Sequence, residues 1–272
     1  MEELKALIVG IVQGFTEFLP VSSSGHIVIA QELLGLDFGE ENLTFAIVLH
    51  CATALSTIVV FRKDIWQIIK GLVTFSDKKS MNFAVYVVVS MIPAAVAGLF
   101  FLEQLEAVFS NLQVVGFSLL ITALLLYFAD RQSDNTGQLS TAKAFLIGLA
   151  QMMAAILPGL SRSGSTIATA VILKIDRTIA ARFSFLMVLP LILGATLKKI
   201  LDSPANISPS ALESSNTASI AALSLGFLAA FICGLIACKW MIALVKQAKL
   251  IYFSYYCAFV GLSVLVYTFI GA

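Results

Sequence analysis

Residues 13–26 read QGFTEFLPVSSSGH: a carboxylate, three consecutive serines and a histidine, set between segments too apolar for an ordinary protein surface. The apolar stretch over 4–19 has about 16 residues, short of the roughly 20 that a helix needs to cross a bilayer. Pro20 stops it, because the residue before a proline is pushed out of the helical region. Ser22, Ser23 and Ser24 then offer caps for a second short helix from about Gly25 to Leu34. Two short helices meeting at a polar turn inside a membrane are the expected result.

A second stretch repeats the pattern. Residues 151–166, QMMAAILPGLSRSGST, again run apolar to a proline, Pro158, then through serines to a helix expected from about Gly164 to Leu173. Gln13 and Gln151 lie 138 positions apart, as do Pro20 and Pro158, and with one inserted residue Gly25 pairs with Gly164. Working outward, apolar runs long enough to cross a bilayer fall at 43–61, 83–102 and 112–129, then at 179–200, 218–242 and 250–271. Pro93 marks a kink in the second of these. The acidic run DFGEE (37–41) precedes the first, and a loop at 62–79 with five Lys and Arg follows it.

Each half therefore reads as a re-entrant short helix pair plus three full transmembrane helices. Three crossings is an odd number, so the second half must be inverted relative to the first, an arrangement that brings broken helices together near the bilayer midplane. The expected fold is an all-α polytopic membrane protein of two inverted-topology repeats, 1–130 and 141–272, in one domain (1–272), joined by a polar linker at about 131–140.

Composition agrees. Hydrophobic residues make up 59% and charged residues 12% of the chain, against roughly 25% charged in soluble proteins, and mean hydropathy is +0.97. No Lys/Arg block resembles a nucleic-acid footprint. The four cysteines sit in apolar runs without metal-ligand spacing, and the mixed-charge start MEELK does not read as a signal peptide. Four regions, 62–79, 130–143, 174–182 and 239–249, hold 13 of the 17 Lys and Arg. The topology puts all four on one side, cytoplasmic by the positive-inside rule, with both termini outside. Lys198 and Lys199 pull against this.

Gln13 and Glu17, four apart, share a helix face. A carboxylate in a segment fit for hydrocarbon suggests function, or else a helix-terminal Glu reaching the interface. His26 opens the next helix as an acid/base candidate or a structural histidine bonded to a carbonyl. His50, alone inside a span, reads as polar glue. SSSGH and SRSGST both precede helix starts, whose unpaired N–H groups and positive dipole end bind anions. Arg162 adds a planar fork matched to phosphate oxygens. Its partner is either Glu17, in a structural ion pair, or a phosphate held between the two helix ends.

GFTEFLPVSSSGH and LPGLSRSGST resemble the two signatures of the bacterial undecaprenyl-diphosphate phosphatase family, the bacitracin-resistance type, and the resemblance covers essentially the whole chain. It implies hydrolysis of undecaprenyl diphosphate to the monophosphate and inorganic phosphate. That reaction recycles the lipid carrier for peptidoglycan and other envelope polymers, at a site reached from the periplasmic side of the inner membrane. It also implies a divalent cation, Mg2+ or Ca2+. The family's first motif usually carries two glutamates four apart. Here Gln13 takes the earlier place, leaving Glu17 as a cation ligand with a neutral carbonyl beside it. The second motif matches at Pro158, Gly159, Ser161, Arg162, Ser163 and Thr166.

The expected catalytic residues are Glu17, Ser23, His26 and Arg162. Gln13, Ser22, Ser24, Gly25, Ser161, Ser163, Gly164 and Thr166 are expected to bind substrate. Ser23 is either nucleophile or phosphate ligand, and the resemblance favours attack by serine. The competing function is a transporter or flippase of polyprenyl phosphate lipids, since inverted repeats with broken helices also build transporters. Nothing in the sequence specifies an oligomeric state.

Overall fold

The computed structural model describes residues 2–34, 42–75, 77–100, 111–133, 135–202, 220–247 and 249–270. The acidic run at 37–41, residues 101–102 of an expected span, position 134 of the linker, residue 271 and the side chain of Lys199 lie outside the described residues. The described residues form helices α1 (Glu2–Thr16), α2 (Ser23–Leu34), α3 (Asn42–Val60), α4 (Arg62–Thr74), α5 (Lys78–Phe100), α6 (Leu112–Asp130), α7 (Thr141–Ile156), α8 (Arg162–Ile172), α9 (Arg177–Met187), α10 (Leu189–Asp202), α11 (Ile220–Lys246) and α12 (Ile251–Ile270).

The chain is an all-α polytopic membrane protein. Among the described residues α5, α6, α9 with α10, α11 and α12 are long and apolar enough to cross a membrane, and α3 with α4 forms an apolar pair bent by 77°. The two short pairs, α1–α2 and α7–α8, fall where the proline stops predict them. Several starts are capped as their sequences dictate. The Asn111 side chain accepts from the N–H groups of Gln113 and Val114, and the Asp176 side chain from Thr178 and Ile179.

Two elements differ from the sequence expectation. Residues 62–74 form helix α4 rather than a loop, turned 77° from α3. Trp66, Ile69 and Val73 stand exposed along it while Lys63 and Lys70 share its length, the amphipathic pattern of a helix lying in the membrane interface. The span expected at 179–200 is two helices, α9 and α10, interrupted at Val188. Pro190 has no N–H to continue the ladder, which accounts for the break.

Packing crosses between the halves. The first short helix, α1, lies against α11 of the second half, and α7 lies against α5 of the first, while α6 packs on α12. Small residues bring the backbones close: a Cβ at Gly10 would fall 2.4 Å from the Gly226 carbonyl oxygen, and one at Gly148 would fall 2.4 Å from that of Ser90. Gly14 and Gly116 also sit at such contacts. A Cβ at Gly98 would meet nothing within 4 Å among the described residues.

The four cation-rich regions meet at one end of the bundle. Arg182 of α9 pairs with Asp64 of α4 at 2.8 Å, and Arg177 donates to the Gln132 carbonyl at 2.9 Å. Lys174 donates to the Ser133 carbonyl at 2.9 Å, and Asp130 accepts from the Leu250 N–H at 2.8 Å, where α12 begins.

Candidate active site

The two proline-stopped turns abut each other. Val21, Ser22 and Leu160 are buried there, and Ser22 takes the left-handed region at φ 72°. The Ser22 hydroxyl accepts from the Gly25 N–H at 3.2 Å, and the Ser161 hydroxyl accepts from the Gly164 N–H at 3.1 Å. Each serine thereby caps its helix in the same register. The glycines pack reciprocally: a Cβ at Gly25 would meet Gly159 of the second turn at 3.1 Å, and one at Gly164 would meet Pro20 of the first at 3.3 Å. The Ser163 hydroxyl closes the seam by donating to the Leu19 carbonyl at 3.1 Å.

This seam delivers four side chains to one carboxylate. Glu17, the first residue beyond α1, is 5% exposed at its side chain. Arg162 pairs with its Oε1. The Ser23 hydroxyl donates to Oε2 at 2.8 Å, and the Gln13 amide Nε2 donates to the same oxygen at 3.1 Å. His50 of α3 joins them, its Nδ1 3.2 Å from Gln13 Nε2 and 4.0 Å from Glu17 Oε2. The guanidinium, the hydroxyl and the amide are all donors to this one buried carboxylate. Removing one member of such a pair leaves an uncompensated charge.

Not every expected residue reaches this cluster. His26 turns away from Glu17: its Nδ1 bonds the Ser22 carbonyl at 2.7 Å, and its Nε2 lies 2.7 Å from the Tyr256 hydroxyl of α12, with the two rings stacked. Thr166 spends its hydroxyl on the Arg162 carbonyl at 2.8 Å and on Ser184 of α9 at 2.6 Å. Ser24 lies 3.3 Å from the Ser22 hydroxyl, and Ser161 lies 3.4 Å from that of Ser163. With Gly25 and Gly164 capped, the N–H groups of Ser23, Ser24, Arg162 and Ser163 are the first-turn donors that helix geometry leaves for an anion.

Tyr256 is the residue that sequence reasoning missed, while His50, read as polar glue, does bond a neighbouring helix through Gln13. His50 carries the one available signal, an imidazole inside an otherwise apolar span, and it belongs to the Glu17 cluster rather than standing alone. Tyr256 carries none among six tyrosines.

Gln13 is fully buried, and its Oε1 has no hydrogen-bond partner among the described residues. With the Glu17 carboxylate it supplies hard oxygen donors. Among the described residues no three His, Cys, Asp or Glu side chains form a ligand cluster. Carboxylate and amide oxygens are the donor type that Mg2+ and Ca2+ both take.

The family described as bacitracin resistance protein BacA matches residues 6–263. The undecaprenyl-diphosphatase of Christiangramia forsetii is 50% identical over 271 residues, covering 99% of each chain. That of Bacteroides thetaiotaomicron is 50% identical over 273 residues, covering 98% of this chain and 99% of its own. That of Halothermothrix orenii is 36% identical over 269 residues, covering 98% of both. With the paired motifs, the broken helices and the shared carboxylate in place, this protein belongs to the bacitracin resistance protein BacA family.

Proposed function

We infer that this protein is an undecaprenyl-diphosphate phosphatase, a membrane hydrolase that converts undecaprenyl diphosphate to undecaprenyl phosphate and inorganic phosphate. The carrying observation is the Ser23 hydroxyl donating to Glu17 Oε2 at 2.8 Å while Arg162 holds the other oxygen. A hydroxyl paired with a buried carboxylate is a nucleophile with its base, a pairing that moving a lipid across the membrane does not require.

Ser23 Oγ attacks the terminal phosphorus and its proton passes to Glu17. The bond to the bridging oxygen breaks, undecaprenyl phosphate leaves, and water then hydrolyses the phosphoserine. Arg162 turns part of its fork from Glu17 to the transferring phosphoryl group, where with the helix N–H groups it stabilises the developing charge. Ser22, Ser24, Gly25, Ser161, Ser163 and Gly164 shape the two helix ends around the diphosphate. Thr166 supports that wall through Ser184. His26 is the second acid/base candidate, and any proton it exchanges passes through the Tyr256 hydroxyl or follows a break from Ser22. Glu17 and Gln13 Oε1 would hold the divalent cation, which when bound neutralises charge on the diphosphate.

We place the cation-rich end of the bundle in the cytoplasm and both termini outside, in the inner membrane, with the site reached from the outer side. The 138-residue sequence repeat and the crossed packing of α1 on α11 and α7 on α5 support two inverted repeats in one membrane domain. The test is phosphate release from undecaprenyl diphosphate by the purified protein with Mg2+, beside the same assay with chelator, and a quenched turnover analysed for phosphate on Ser23. Release that is lost with chelator, with phosphoserine trapped, is expected. No release under any lipid or ion condition, with the monophosphate crossing vesicles instead, overturns the assignment.

A further inference from the structure

Helix α4 divides its surface between the protein and something outside it. Ile65 and Ile68 turn inward and pack against the core. Asp64 is taken by Arg182 of α9, and Gly71 is pressed on α5, where a Cβ would fall 2.7 Å from that of Ser80. Outward, Trp66, Ile69 and Val73 recur three and four positions apart, which makes them one stripe. They are 68%, 47% and 73% exposed among the described residues. Lys63 and Lys70 are exposed too. Seven residues is almost two turns, so both lysines fall along a single edge of that stripe. Neither is in an ion pair among the described residues. The Gly71–Ser80 contact also sets the first turn of α5 beside α4, and with it the exposed Lys78 and Lys79. Across 62–79 five Lys and Arg stand against two aspartates. Asp64 is neutralised by Arg182, and Asp77 is held by the Ser80 hydroxyl and the Lys79 N–H.

We propose that the outer face of α4, with the first turn of α5, is a binding surface for anionic phospholipid: Trp66, Ile69 and Val73 seat in the bilayer interface while Lys63, Lys70, Lys78 and Lys79 bind headgroup phosphates. The geometry suits it. Helix α3 packs along α11, which is long enough to cross the membrane, and α4 turns 77° from α3, so it lies close to the membrane plane. An apolar stripe turned to water there would be unfavourable. Lysine can lay its stem along such a stripe and carry its ammonium to the phosphate level. A neutral bilayer would cover the stripe and leave the cations without a counter-charge, whereas an anionic one answers both. The surface shares no residue with the Glu17 cluster, and the inference does not depend on the phosphatase reading.

The experiment reads the lipid beside Trp66 by fluorescence quenching in the full-length protein, reconstituted in vesicles of phosphatidylcholine with a minor fraction of phosphatidylglycerol. The chain has two tryptophans, so Trp240→Phe leaves Trp66 as the reporter. Bromine is carried on the acyl chains of the anionic lipid in one sample and, at the same mole fraction, on those of the neutral lipid in another. The anionic lipid is expected to quench Trp66 more. A cation at a charged membrane surface is worth about five-fold in binding. Lys63→Gln with Lys70→Gln should therefore lower the preference by about that factor for each lysine, while Lys63→Arg with Lys70→Arg keeps it. Salt at about 1 M, where screening acts over about 3 Å, should abolish it. Thermal melting checks that the variants fold. Equal quenching by the two brominated lipids overturns the proposal and leaves a stripe that any bilayer covers. A preference that survives in the glutamine variant overturns the assignment to these lysines. Absence of quenching by either lipid overturns it also, and means that protein, a second copy or another chain, covers the face.

Discussion

Ser23 and Arg162 are the first residues of α2 and α8, one in each half of the chain, and they deliver their side chains to opposite oxygens of the same Glu17 carboxylate. They are also register mates, 139 positions apart, on the same offset that pairs Gly25 with Gly164. Equivalent positions on repeated helices have taken unlike chemistry, a hydroxyl on one and a guanidinium on the other. On the mechanism proposed above, the single acid between them couples the nucleophile to the phosphate clamp.

The guanidinium is the member whose geometry is hardest to replace. Lysine at 162 keeps the charge and loses the fork. If Arg162 acts on the transferring phosphoryl group, Arg162→Lys should insert and melt normally, with kcat lower by about 10²–10³. Truncation to leucine should cost stability as well, on the order of 3–5 kcal/mol for a pair this buried. Near-normal turnover of the lysine form, with stability recovered in Arg162→Leu combined with Glu17→Leu, would leave Arg162 as scaffold. Kinetics and melting in detergent decide between them.

Glu17 and Ser23 should fail as a unit. Glu17→Gln removes the base and is expected to lower kcat by about 10²–10⁴. Adding Ser23→Ala should cost little more than the worse single change, because groups that act in one step are not additive. Multiplicative losses in the double variant would separate the two residues and argue for direct attack by water.

The His26–Tyr256 contact makes its own prediction. Tyr256→Phe keeps the bond from His26 to the Ser22 carbonyl and removes the hydroxyl from Nε2. If protons pass through that hydroxyl, kcat should fall by about 10²-fold, the lower range for a lost proton-transfer group. Near-wild-type kcat in Tyr256→Phe beside an inactive His26→Ala would instead assign His26 to holding the turn that carries Ser23.

Gly159 is the least replaceable point of the seam. Its φ is 88°, and a Cβ there would sit 2.6 Å from the Val115 carbonyl oxygen of α6. Gly159→Ala is expected to lower the melting midpoint, with about 1–3 kcal/mol from the backbone conformation before any clash. Unchanged melting would mean that the turn shifts freely, and the fixed spacing of Ser23 and Arg162 would then need another cause.

The fold was legible because hydrophobic run lengths and two proline stops are local signals, and both short pairs formed where Pro20 and Pro158 end them. The meeting of Glu17, Ser23 and Arg162 was legible from the repeat, since like motifs on opposed halves converge. His50 was not, because its place beside Gln13 comes from α3 packing on α1 and no short motif marks it. The partner of His26 was not legible either: nine residues from Glu17 in the chain, its Nε2 meets a tyrosine 230 residues on. Helix α4 looked like a loop while its charges were counted, and the spacing of Trp66, Ile69 and Val73 carried the missing information. Pro190 similarly announced the break at Val188.

The crossed packing of the short helices has a genetic consequence. On the inverted-repeat reading proposed above, α1 leaning on α11 and α7 on α5 means that each short helix is covered chiefly by the other half, and a half-length ancestor would have paired with a second copy of itself inserted upside down in the same membrane. Fusion into one polypeptide fixes the two copies at one to one and frees each to mutate alone. The register mates show what that freedom produced: Glu17 opposite Ala155, and Ser23 opposite Arg162. A homodimer of identical halves would carry each residue on both sides of the seam, and the single acid shared by a hydroxyl and a guanidinium could not exist there without a duplicate.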